Sequence, residues 1–161
     1  MKIFLLIALI AVAAIAAADD SAAFAKIKSL AGTWKGTGAE GAGNGEPVVV
    51  SYRVVSAGSA VEEIIAKGSP HEMVTMFYMD GPKLKLTHYC VMKNQPQMKL
   101  VSSSDSLKFE FEGGTNCSAD GMYMGSLVFT LVSKDHLKAR WGMISGGKET
   151  SCIAMDLHRT K

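Results

Sequence analysis

Apolar residues along this chain recur first with a period of three and then with a period of two. In residues 21–32, SAAFAKIKSLAG, the residues Phe24, Ile27 and Leu30 are three apart and Lys26 and Lys28 fall between them, with Gly32 as a stop. That spacing predicts one short helix. Beyond it the alternation is strand-like. PVVVSYRVV (47–55), AVEEIIA (60–66), EMVTMFYM (72–79), KLKLTHYC (83–90), QMKLVS (97–102), LKFEFEG (107–113), SLVFTLV (126–132), HLKARWGM (136–143) and ETSCIAMDLHR (149–159) follow one another. Asn44-Gly45, Asp80-Gly81, Gly113-Gly114, Asp120-Gly121 and Gly146-Gly147 punctuate them with residues that favour positive φ. With Thr33–Thr37 as a first strand, the pattern predicts an all-β fold. It is an antiparallel up-and-down β-barrel of about ten strands with a short N-terminal helix, closed so that no sheet edge is exposed.

Alternation also assigns faces. If Lys83 and Lys85 meet water, then Leu84, Leu86, His88 and Cys90 point inward. The same test turns Leu107, Phe109 and Phe111 inward, with Met98, Leu100, Leu137, Ala139 and Trp141. The interior is therefore aliphatic, aromatic and rich in methionine, a flexible and polarisable filler. For Glu63 the pattern leaves the choice open: Val61, Glu63 and Ile65 share one face, and Glu62, Ile64 and Ala66 share the other.

The first strand lies in a glycine-rich stretch, GTWKGTGAEGAGNG (32–45), with a G-x-G-x-x-G match at Gly36, Gly38 and Gly41. A dinucleotide site requires that such glycines open a helix. Here Glu46-Pro47 and a valine run follow, so the stretch predicts a turn into a strand and no phosphate site. G-x-S-x-G, P-loop and H-E-x-x-H motifs are also missing, and no histidine pair has metal-ligand spacing supported by a third ligand. No metal site is expected.

Composition narrows the partners. Seventeen Lys and Arg stand against 15 Asp and Glu, a net charge of +2 with no basic run, which excludes an electrostatic footprint for nucleic acid. Met1-Lys2, an apolar run from Ile3 thinning into alanines, and small residues at Ala16 and Ala18 form the pattern of a secretory signal. The expected organisation is a signal peptide over 1–18, cut after Ala18, and one barrel domain over 19–161. The product would be secreted or periplasmic, with no stable membrane span after cleavage. In an oxidising compartment one disulfide among Cys90, Cys117 and Cys152 is expected, leaving one thiol over. Cys117 with Cys152 would join the turn after the seventh strand to the last strand. Cys90 beside His88 would then be the protected thiol.

Two sets of residues resemble known families. The run Gly32, Trp34, Gly36 and Gly38 resembles the G-x-W-x-G-x-G opening of the lipocalin/calycin superfamily and of its nitrobindin-like branch. The stretch SPHEMVTMFYMDGPKLKLTHYCVMKNQPQMKL, with HYC-x4-QP-x-M at His88 to Met98, resembles a bacterial exported domain family of lipocalin-like fold with no established function. The likeness runs from about Phe24 to His158. It implies a barrel with its N-terminal helix near one end, Gly32 and Trp34 in structural roles, and Trp34 packed at the barrel base. Cys117 and Cys152 depart from the family's usual residues, which favours pairing them. Nitrobindins hold haem through a late histidine, but His158 does not match that motif. A lone inward histidine is a haem ligand type, and the cofactor is left unknown.

The expected function is binding of a small apolar or amphipathic molecule. His88, Cys90, Glu63, Tyr78, Trp141, Met98 and Phe109 line or border the pocket, and no residue is assigned a catalytic role. Two alternatives are an enzyme in which His88 and Glu63 exchange protons, and a packed barrel acting through a surface partner.

Overall fold

The computed structural model describes residues 19–39 and 45–161. The side chain of Ala39, the predicted signal segment 1–18 and residues 40–44 (with Gly41 and Asn44 of the glycine-rich stretch) lie outside that description. Among the described residues no helix is long and apolar enough to cross a membrane.

The helix, α1, spans Asp20–Ser29. Asp19 caps it by accepting a hydrogen bond from the Ala22 amide at 3.0 Å. It ends before the predicted Gly32, because Gly32 at φ +129° already opens the first strand. Ten strands follow: β1 (Gly32–Ala39), β2 (Pro47–Val55), β3 (Ala60–Ile65), β4 (Met73–Asp80), β5 (Lys83–Tyr89), β6 (Gln95–Ser102), β7 (Leu107–Thr115), β8 (Met122–Ser133), β9 (His136–Ser145) and β10 (Lys148–Arg159). Each pairs antiparallel with its neighbour in sequence, and β1 pairs with β10, which closes the barrel. The expected all-β up-and-down barrel of ten strands with one short N-terminal helix is the fold.

Gly36 is needed at the closing seam. It sits opposite Leu157 of β10, where a Cβ would run into the Asp156 carbonyl. The glycines that mimic a nucleotide fingerprint therefore include one required for strand-to-strand approach.

The two ends of the barrel differ. At one, Ala23, Phe24, Ile27 and Leu30 of α1 and its C-cap are buried against the strands. Buried Asp20 accepts from the Leu84 amide at 2.7 Å, tying the helix to β5. The Trp34 indole donates to the Leu30 carbonyl at 2.8 Å, and the Arg159 guanidinium lies 4.3 Å over the Trp34 ring. Trp34 thus sits at the barrel base, as expected. The Arg159 fork also donates to the carbonyls of Ala31 at 2.6 Å and Ser29 at 2.9 Å, clamping the helix end that would otherwise leave acceptors unanswered.

Above this plug the lumen is filled. Phe77 packs against Phe109 and Phe129 with ring centroids 5.9 Å apart in each pair, and Tyr52 meets Phe129 edge-on at 6.3 Å. Val61, Leu86, Met98 and Leu127 fill the spaces between, each fully buried. Each such side chain contributes about 1.5–3 kcal/mol on burial. The opposite end, where the described residues 45–46, 66–72, 90–94, 116–121 and 146–147 join the strands, carries no such plug among the described residues and forms a mouth. Near it, ladder pairing of β7 with β8 stops at Glu110–Ser126, and the Phe111 and Tyr123 rings, 4.5 Å apart, close the seam beyond.

Candidate functional site

Between the packed half and the mouth runs a polar row. Tyr52 of β2 stands opposite Glu63 of β3, Glu63 opposite Thr75 of β4, and Thr75 opposite His88 of β5. All four are buried and share the parity of core residues on their strands, Val50 beside Tyr52 and Phe77 beside Thr75. The register across four adjacent strands thus sets four polar side chains side by side on the inner wall. The Tyr52 hydroxyl donates to Glu63 Oε1 at 2.7 Å. The Thr75 hydroxyl meets His88 Nδ1 at 3.0 Å, and Trp141 of β9 closes the row with its ring 4.5 Å from the imidazole.

Burial sets the electrostatics here. It raises the Glu63 pKa from 4.5 to about 7, against the opposing pull of the Thr75 and Tyr52 hydroxyls. It lowers His88 from 6.5 to about 4, so that the imidazole is neutral at physiological pH. Tyr52 is pushed well above its usual range by burial, then by the Glu63 charge and their hydrogen bond. Glu63 Oε2, His88 Nε2 and Trp141 Nε1 are buried with no hydrogen-bond partner in the protein.

Toward the mouth the wall turns apolar. A cavity of about 560 Å³ is lined by Gly38, Glu46, Pro47, Val48, Ile65, Ala66, His71, Met73, Ile153 and Met155. Below it is a slot of about 20 Å³ bordered by His88, Trp141 and Met124. Ile65, Met73, Ile153 and Met155 line both, forming the floor of one and the roof of the other.

The structure brings together three of the expected site residues: Glu63, His88 and Trp141. It separates the others. Tyr78 lies on the outer face, where its hydroxyl meets Thr87 Oγ1 at 3.3 Å, because it is out of phase with inward Thr75 and Phe77. Met98 and Phe109 point inward but belong to the filled half, below the row. Cys90 is buried one residue past β5, in a turn where its amide donates to the Asn94 carbonyl at 3.1 Å, and it lines neither cavity. His88 and Glu63 make no direct proton-exchanging pair, since Thr75 stands between them.

The expected Cys117–Cys152 disulfide is not formed. Cys152 pairs with Gly142 of β9, and Gly142 pairs with Ser126 of β8. A whole strand therefore stands between Cys152 and the β7–β8 turn that carries Cys117. Two interstrand spacings are about 9–10 Å, beyond the roughly 7 Å Cα limit for a disulfide. Cys117 Sγ instead contacts the Thr115 carbonyl at 3.5 Å.

Sequence reading missed Tyr52 and Thr75, whose polar character masks an inward parity, and His71, Met73, Ile153 and Met155 at the mouth. It also found no third ligand for a histidine pair. The fold supplies one on the outer wall: His136, Asp156 and His158 place a ligand atom each within 4.8 Å of one another. That carboxylate already meets His136 at 2.8 Å and Lys138 at 3.6 Å. The cluster is a solvated ion-pair network on the convex face of the sheet, remote from the lumen.

No family model matches this chain, and no curated protein matches it.

Proposed function

We propose that this protein, after export to a secreted or periplasmic location, binds a small and largely apolar molecule in the mouth of its barrel. One observation carries the reading: the mouth cavity of about 560 Å³ is walled chiefly by Pro47, Val48, Ile65, Met73, Ile153 and Met155. That volume falls within the roughly 300–1,000 Å³ usual for small-molecule sites, which combine apolar walls with a few placed polar groups. Here the polar groups are the row beneath the floor. Burial of apolar surface would supply the affinity, and the methionines would let the floor adapt to the occupant.

The test uses N-phenyl-1-naphthylamine, a neutral dye that fluoresces in apolar surroundings. The protein is expected to retain the dye. Val48→Trp, which fills the cavity from its wall, is expected to abolish binding without lowering the melting temperature. A wild-type protein that retains no dye, or a folded V48W protein that binds as before, refutes the proposal.

A further inference from the structure

The mouth cavity alone does not account for the atoms beneath it. His88 Nε2, Trp141 Nε1 and Glu63 Oε2 are buried and unanswered by any protein group, and such groups each cost about 1–3 kcal/mol. They are not scattered. Two of them belong to the rings that border the slot, with centroids 4.5 Å apart and planes tilted by 38°, and the third lies two places along the row from His88.

The slot limits what can answer them. At about 20 Å³ it admits roughly one water-sized group, since a water needs about 10–15 Å³ measured in that way. Its occupant therefore presents a single polar heavy atom. The Trp141 indole can only donate. His88 Nε2 accepts if Nδ1 carries the proton toward Thr75, and donates if Thr75 gives its proton to Nδ1. A hydroxyl oxygen serves both arrangements: it accepts from the indole and donates to a bare Nε2, or it accepts from both nitrogens. An ether oxygen serves only the second.

A carboxylate fits worse. It brings two oxygens and a charge to a wall whose described residues include Glu46 and neither Lys nor Arg, with the Glu63 carboxyl in the row beneath. Among the described residues that line them, His71 at the rim and the neutral His88 are the groups able to become cationic. Moving an unpaired anion into such surroundings is strongly unfavourable.

We infer that the ligand is a neutral amphiphile ending in a single hydroxyl, whose oxygen enters the slot between His88 and Trp141 while its apolar chain fills the mouth cavity. This assignment rests on the mouth cavity being the binding site. Three of the seven residues around the slot, Met73, Met124 and Met155, are methionines, so the passage from cavity to slot opens by rotamer changes and no strand need move.

The experiment compares 1-octanol, octyl methyl ether and octanoate as competitors of N-phenyl-1-naphthylamine at pH 7.5. Octanol is expected to compete at a concentration at least about tenfold lower than the ether, the scale of one hydrogen bond to a buried group, and octanoate to be weaker than octanol. Trp141→Phe keeps the ring and removes the N–H. It removes a donor to which alcohol and ether oxygens both accept, so it is expected to weaken both competitors at least about threefold and leave their ratio in place, whereas His88→Phe, which removes the acceptor that only a hydroxyl can serve, should abolish the preference. If the H88F protein does not fold, the loss of affinity for both competitors in W141F carries the test. Equal competition by alcohol and ether, octanoate matching octanol, an alcohol that competes as well against W141F as against the wild type, or a preference unchanged in H88F overturns the hydroxyl assignment while the mouth-cavity reading stands. If the dye binds nowhere and no competitor acts, the mouth-cavity reading fails and the assignment falls with it.

Discussion

Replacing Glu63 by glutamine isolates the buried carboxyl of the polar row. In the folded protein this group takes up its proton at about 7 in place of 4.5. Between those pH values the native state holds more protons than the unfolded chain, so wild-type stability falls as pH rises. At about 1.4 kcal/mol per pH unit, the displacement costs about 3 kcal/mol by the time the carboxyl is ionised. That is a large share of the roughly 5–15 kcal/mol that holds a domain together. His88 acts in the opposite sense. Its native pKa of about 4 lies below its ordinary 6.5, so the native state holds fewer protons and stability rises between those values by a similar amount. Across roughly pH 4.5–6.5 the two nearly cancel in the wild type, which conceals both. Glutamine keeps the Oε1 acceptor for Tyr52 but cannot ionise, so E63Q retains only the rise from His88. Urea unfolding of both proteins at pH 4.5, 5.5, 6.5 and 7.5 gives the difference in stability, from which the common background of surface carboxylates drops out. The difference should move by about 3 kcal/mol in favour of E63Q between the lowest and highest pH. A difference that stays constant across the range means that Glu63 titrates as an ordinary exposed carboxyl, and the account of the row is wrong.

Two further substitutions test how the barrel is closed and plugged. Gly36→Ala forces a methyl group toward the Asp156 carbonyl at the β1–β10 seam, and urea unfolding should show a loss of about 1–3 kcal/mol, the usual cost of overpacking; unchanged stability would mean that the seam is not close-packed there. Arg159→Ala removes the fork that holds the Ser29 and Ala31 carbonyls and covers Trp34, and should cost about 1.5–3 kcal/mol. Arg159→Lys should recover less than half of that loss, because an ammonium cannot reproduce the planar fork; full recovery in thermal unfolding would show that charge alone matters.

The alternation that revealed the strands also placed β5 correctly: Lys83 and Lys85 lie outside the core, and Leu84, Leu86 and His88 lie within it. Alternation gives the side of the wall, however, and not the height along the barrel axis. Met98 and Phe109 face inward as their spacing requires, yet they lie in the aromatic layers above the helix plug and line neither cavity. Only the stagger between strands, fixed by pairings such as Leu86 with Met98 and Phe77 with Leu86, sorts inward residues into layers. Cys90 keeps the parity of His88 and is buried as that parity requires, but the strand ends at Tyr89 and the chain turns there, so the thiol lines neither cavity.

Glu63 shows why the polar row could not be read from one segment at a time. In AVEEIIA both faces carry one glutamate and apolar residues, and burial statistics for a single glutamate favour the solvent side. What decides its face lies on other strands. Opposite Glu63 stand Tyr52 and Thr75, both buried; opposite Glu62 stand Arg53, which pairs with it at 2.9 Å, and Met76. One glutamate finds a cation at the surface and the other finds hydroxyls inside, and a one-residue slip of β3 would turn Glu62 inward and Glu63 outward, and with them turn Val61 and Ile65 out to water. The apolar residues therefore fix the register, and the register delivers Glu63 to the row. The carboxyl is held there by its neighbours' packing and not by its own preference.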